Sequence, residues 1–118
     1  MGDISRLEER KQRQREAALE VSRERRARRK ELRGKLASGK EDPLAMVAGR
    51  IDEYEDDIAG WRLEQMLKVI PGVGSVTLHE ILEAFVASPR MKVRGLSYER
   101  REQLARIVAD ALRRPHLD

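Results

Sequence analysis

Residues 66–82 read MLKVIPGVGSVTLHEIL, two apolar helical segments joined through one proline and two glycines. Pro71 restricts the backbone and predicts the end of the first segment. Gly72 and Gly74 allow positive φ and close approaches that a side chain would block. The stretch therefore predicts a helical hairpin, which occupies 61–87 with its flanking residues.

The first amides of the second hairpin helix have no acceptors within that helix and lie at the positive end of its dipole. Such an end beside glycines can seat a phosphate oxygen. No strand precedes the glycines and no third glycine follows at the right spacing, which excludes a Rossmann nucleotide loop. The alternative is a plain corner between two helices, with no ligand. The predicted phosphate contacts of the hairpin are Gly72, Val73, Gly74, Ser75 and Thr77, with Val73 also expected to point inward and pin the turn.

On the N-terminal side, residues 6–37 contain no proline and are rich in good helix formers. They predict a long, mostly solvated helix that docks only through its C-terminal turns, where Leu32 and Leu36 share a face. Asp42 and Pro43 then predict the capped start of a short helix running to about residue 54.

On the C-terminal side, Ser97 predicts the N-cap of the last helix. Trp61 lies on an apolar stripe of helical spacing and is assigned to the core. We find no convincing strand. The expected fold class is all-α, with a long basic N-terminal helix or arm in 1–42 and a compact helical domain in 43–118 built around the hairpin.

Charge is distributed unevenly along the chain. Residues 1–42 hold 14 basic and 9 acidic residues, 43–87 hold 3 and 8, and 88–118 hold 8 and 4. Two basic ends thus flank an acidic middle, which points to contact with a polyanion at the ends.

The stretch 23–35 holds eight basic and two acidic residues. Such a segment repels itself unless a phosphate backbone lies beside it, although a solvated face is the alternative. Arginine suits this role because its guanidinium forks phosphate oxygens. The predicted contacts are Arg23, Arg25, Arg26, Arg28, Arg29, Lys30 and Arg33.

A second basic cluster, Arg90, Lys92 and Arg94, follows the hairpin. It is expected to lie near the hairpin and to form with it one fixed phosphate anchor, the alternative being loop solubility. Four arginines of the C-terminal segment are expected to face solvent: Arg100, Arg101, Arg113 and Arg114.

Other functional classes find little support. The chain has no Cys and two distant His residues, so no metal site is expected. The acidic run 53–57 is interpreted as solvated rather than as a cation site. No nucleophile–base pair stands out, so an enzyme is not expected, nor any cofactor or small-molecule substrate. No membrane contact is expected either, and the chain is predicted to be cytoplasmic and monomeric.

Four segments, taken in order, resemble the actinobacterial integration host factor family. They are the start of the basic helix at 15–20, the helix entry at 58–63, the hairpin at 66–82 and the Arg-Gly-Leu element at 93–96. The resemblance covers about 15–112 and implies that the hairpin is a helix-two-turn-helix (helix-hairpin-helix-like) motif. It also implies a small nucleoid-associated protein that binds duplex DNA through phosphates, bends or compacts it and supports site-specific recombination.

The chain departs from that family beside the hairpin. Where the family carries basic residues, this sequence has Ser75, Thr77 and His79, which bring hydrogen-bond donors without a fixed charge. The expectation is a nucleoid protein that binds double-stranded DNA with low sequence specificity. The alternatives are an RNA-binding protein of the ribosome-associated type, or an adaptor whose acidic run docks a basic partner.

Overall fold

The computed structural model of the protein describes residues 2–114, with side-chain burial from residue 4 onward. It confirms the all-helical fold and the long N-terminal helix. Within this region the only β-type pairing is an isolated antiparallel bridge between Arg62 and Lys92. The helices are α1 Gly2–Ala37, α2 Pro43–Val47, α3 Asp52–Ala59, α4 Leu63–Lys68, α5 Ser75–Phe85 and α6 Tyr98–Arg113, with one 3₁₀ turn at Val93–Gly95.

The helix α1 has 36 residues, which at 1.5 Å per residue gives a rod of about 54 Å. Residues 4–27 of this rod are exposed. Only its C-terminal turns dock, through the buried side chains of Leu32 and Leu36. The predicted long, mostly solvated helix is therefore confirmed, and its docked end lies within the basic stretch.

The segment after α1 begins as predicted. The Asp42 carboxylate accepts a hydrogen bond from the Leu44 amide at 3.0 Å, with Pro43 in the first turn. The single helix expected to reach residue 54 is wrong, because the chain breaks into α2 and α3. Gly49 lies at the break with a φ of +80°, a conformation that L side chains rarely adopt.

The break at Gly49 makes room for Arg101, which was expected to face solvent and is instead buried at 4% exposure. Its Nε and Nη2 donate to the carbonyls of Val47 and Met46, each at 2.9 Å. Its Nη1 forms an ion pair with Glu55. One arginine of α6 thus ties together α2 and α3.

The core lies between the docked end of α1 and the five shorter helices. Trp61 is buried, as predicted. The fully buried apolar side chains include Leu63, Met66 and Leu67 of α4, Ile81 of α5, and Leu104 and Val108 of α6.

The acidic run 53–57 belongs to the contact between α1 and α3. Tyr54 is fully buried, and its hydroxyl donates to Glu31 at 2.6 Å. Arg28 pairs with Asp57 at 3.0 Å, and Lys35 pairs with Glu53 at 3.4 Å. The interpretation of this run as a solvated stretch is wrong for three of its four carboxylates, because Glu53 and Asp57 pair with α1 and Glu55 pairs with Arg101 of α6. Asp56 is exposed, as predicted.

Candidate nucleic-acid interface

The loop after α5 is fixed against the start of α4. The amides of Leu63 and Glu64 donate to the carbonyls of Met91 and Pro89 at 2.8 and 3.1 Å. The Val93 amide donates to the Trp61 carbonyl at 2.9 Å. These bonds satisfy amides that a helix N-terminus otherwise leaves without acceptors. They hold the basic cluster of the loop in one position.

That position brings the loop beside α1. Two cations of α1 and two of the loop converge on an open groove above Gly60, Trp61 and Gln65, with two carboxylates of α3 on its wall. We name this the basic groove. Its charged lining residues are Arg25, Arg29, Lys92, Arg94, Asp56 and Asp57.

Two of the cations in the basic groove are oriented by uncharged groups. The Lys92 ammonium donates to the Gly60 carbonyl at 3.0 Å. The Arg29 guanidinium lies over the Trp61 ring, 5.8 Å from its centroid, a cation–π arrangement. The Nε of Arg29 is buried without an acceptor among the described residues. A buried cationic donor in this state gains free energy when a ligand or a water supplies an oxygen.

The other basic residues of α1 point elsewhere. Arg28 is engaged by Asp57 and lies over the Tyr54 ring at 4.6 Å. Hydrogen bonding to Asp57 raises the pKa of Arg28 above its ordinary value. The exposed side chains that face away from the helical body at helical spacing are Arg23, Arg26, Lys30 and Arg33.

The turn between α4 and α5 lies around Pro71 and the glycines, as predicted, but α4 already ends at Lys68 and only one of the two glycines has a positive φ. Gly72 has a φ of +88°, as expected, with Leu112 of α6 at van der Waals distance from where a Cβ would stand. Gly74 has an extended backbone, with φ −93° and ψ −169°, and is the N-cap of α5. Val69 and Ile70 are buried, and Val73 is half-buried and packs against the core, in line with its predicted inward orientation.

The predicted phosphate contacts of the hairpin differ in accessibility. Ser75 is exposed and Gly74 half-buried, but Thr77 is fully buried, so its hydroxyl cannot reach a phosphate. Lys68 and His79 border the same shallow depression as Gly74 and Ser75. Lys68 was missed because it precedes the glycines, and only the fold brings the last turn of α4 back beside them.

The basic loop and the hairpin border two different depressions, at the two ends of α4. The loop lies at the N-terminal end of α4 and the hairpin at its C-terminal end, separated by six residues, or about 9 Å. The basic groove shares no lining residue with the shallow depression beside Gly74 and Ser75. Arg90 is exposed outside both, where its amide donates to the Ser88 hydroxyl at 3.3 Å. Lys92 and Arg94 therefore lie beside α1.

Two further features bear on what this surface can hold. Within residues 2–114 no grouping of His, Asp and Glu could hold a metal ion. None of the helices in the same region has the length and apolar character needed to cross a bilayer.

Comparison with protein-family models, with curated proteins and with solved structures finds no match to this chain. The resemblance carried by residues 15–112 therefore supports a proposal and not an assignment.

Proposed function

We propose that this protein binds double-stranded DNA through the phosphate backbone, with little sequence preference. The observation that carries the proposal is the convergence of Arg25 and Arg29 with Lys92 and Arg94 on one groove. These cations come from segments more than 60 residues apart in the chain. The lining holds four cations against two carboxylates, so the groove keeps a net positive charge that attracts a polyanion.

The composition of the groove favours backbone contact over base recognition. Its cations are mostly arginines, which bind phosphate in a forked geometry. Phosphate contacts fix the position of a protein on DNA without reading sequence. The outward-facing residues Arg23, Arg26, Lys30 and Arg33 extend the positive surface along about 15 Å of α1. We therefore expect sequence-tolerant binding with a strong dependence on salt.

The hairpin is proposed as a weaker second contact. Ser75 and the backbone at Gly74 are accessible beside Lys68 and His79. With one lysine there instead of several basic residues, the hairpin contributes less charge than the basic groove does. By resemblance, the motif is a helix-two-turn-helix element and the protein a nucleoid-associated monomer of the integration host factor kind. Such a protein would bend or compact DNA and assist site-specific recombination.

The test is equilibrium binding to a labelled random-sequence DNA duplex across a series of salt concentrations, with a matched RNA duplex alongside. Four groove cations on four phosphates predict a log–log slope of about −3.6, and outer contacts would steepen it. Binding that prefers the RNA duplex would favour the RNA alternative. The absence of duplex DNA binding near physiological salt would contradict the proposal.

A further inference from the structure

The acidic run 53–57 contains four carboxylates, and three of them hold the fold together. Glu53 pairs with Lys35, and Asp57 pairs with Arg28. Because these two acids are four residues apart on a helix, they face the same neighbour, α1. Glu55 lies on another side of α3 and pairs with Arg101 of α6.

Asp56 is the exception. It is exposed, and its side chain makes no hydrogen bond or ion pair within the described part of the chain. It nevertheless lines the basic groove, together with the cations at positions 25, 29, 92 and 94. Its helical position, one residue before Asp57, turns it from the α1 contact toward the open side of that groove. The carboxylate therefore contributes a negative charge to the groove without contributing an ion pair to the fold.

We propose that Asp56 is an electrostatic brake, a carboxylate that lowers the affinity of the basic groove for polyanions. The proposal rests on the proposed function of the groove as a phosphate site. A phosphate held by the four cations lies within a Debye length of Asp56, so salt does not fully screen the repulsion. Repulsion between like charges separated by no more than the Debye length of about 10 Å, partly in water, weakens binding on the order of two- to threefold. The repulsion from Asp56 would speed dissociation of the bound polyanion, while the four cations of the groove account for its attraction to polyanions.

The test compares Asp56→Asn with Glu99→Gln, which removes the same charge at an exposed position of α6 outside the groove. Each variant is measured on the random-sequence duplex at low and high salt, and on a heparin column eluted with a salt gradient. Asp56→Asn is expected to bind the duplex about two- to threefold more tightly than Glu99→Gln at low salt, with the difference shrinking as salt rises. It is also expected to elute from heparin at higher salt. Circular dichroism at the binding temperature should show both variants folded with the helicity of the parent.

The heparin measurement separates failure of the brake from failure of the DNA proposal. A protein that ignores duplex DNA but shows the Asp56 shift on heparin would overturn the DNA proposal and leave the brake standing. Equal behaviour of the two variants on both polyanions would overturn the brake. The brake would also be overturned if Mg²⁺ tightened binding of the parent and Asp56→Asn abolished that effect. Asp56 would then recruit a bridging cation instead of repelling phosphate.

Discussion

Replacement of Arg101 by methionine is expected to destabilise the fold severely. Methionine keeps much of the aliphatic volume but removes the two hydrogen bonds of 2.9 Å to the carbonyls of Met46 and Val47, and the pair with Glu55. The Met46 carbonyl still accepts from Gly49 at 3.1 Å. The Val47 carbonyl and the partly buried Glu55 carboxylate lose their partner.

The size of the effect follows from those two losses. A buried acceptor left without a donor costs about 1–3 kcal/mol, and breaking a buried ion pair by removing one partner costs about 3–5 kcal/mol. Because the Glu55 side chain is 22% exposed, water recovers part of its solvation. We expect a loss of about 3 kcal/mol in the free energy of unfolding.

Urea unfolding followed by helical circular dichroism measures this loss. Glu55→Gln is the comparison variant, in which Arg101 keeps both carbonyl contacts but its buried guanidinium loses the counter-charge. We expect a smaller loss, about 2 kcal/mol. In the double variant the two losses should not add, because the residues share one interaction. If Arg101→Met unfolds within about 0.5 kcal/mol of the parent, as surface substitutions do, the account of Arg101 as the tie between α2, α3 and α6 is wrong.

Three further predictions concern backbone conformation and pH. Gly49→Ala should lower the free energy of unfolding by about 1–2 kcal/mol in the same assay. The φ of Gly49 is +80°, and the added Cβ would stand 2.9 Å from Arg101 Nη1. An unchanged free energy of unfolding would contradict the described break between α2 and α3. Val86→Asn should raise the melting temperature. Val86 is 86% exposed and has a φ of 54° at the end of α5, a conformation that asparagine tolerates better than valine. A lower melting temperature would count against the described helix end. Burial, followed by hydrogen bonding to Glu31, raises the pKa of Tyr54 above its ordinary value of 10.0, so the folded state holds its proton more tightly than the unfolded state. The resulting stability is complete below about pH 10 and is lost as pH rises through the folded pKa. Thermal melts should show a larger alkaline loss for the parent than for Tyr54→Phe, and an equal loss in both would refute this account.

Local chemistry made much of the fold predictable. The cap at Asp42, the hairpin turn at Pro71 and the N-cap at Ser97 each depend on residues within a few positions. The structure bears out the caps, with Ser97 accepting from the Arg100 amide at 3.2 Å. The apolar spacing that assigned Trp61 to the core is equally local.

Features that depend on distant partners were not predictable. Arg101 looks like any other surface arginine until α2 and α3 are seen to converge on it across 46–55 residues. The acidic run looked solvated because its partners, Arg28 and Lys35, lie 18–29 residues away on another helix. The same limit applies to the basic groove. The sequence identified the basic segments 23–35 and 90–94, but it did not predict that they line one groove.

The central claim is that the basic groove holds the phosphate backbone. Its most direct test is the salt dependence of duplex binding by Arg25→Gln/Lys92→Gln, set against Arg106→Gln/Arg113→Gln. The second pair removes the same charge from exposed positions of α6 outside the groove. The account predicts that the groove variant loses about 1.8 from the magnitude of the log–log slope, or 0.9 for each lost phosphate contact, while the α6 variant keeps the parental slope. Equal slopes for the two variants would contradict it, because net charge and not the groove would then govern binding.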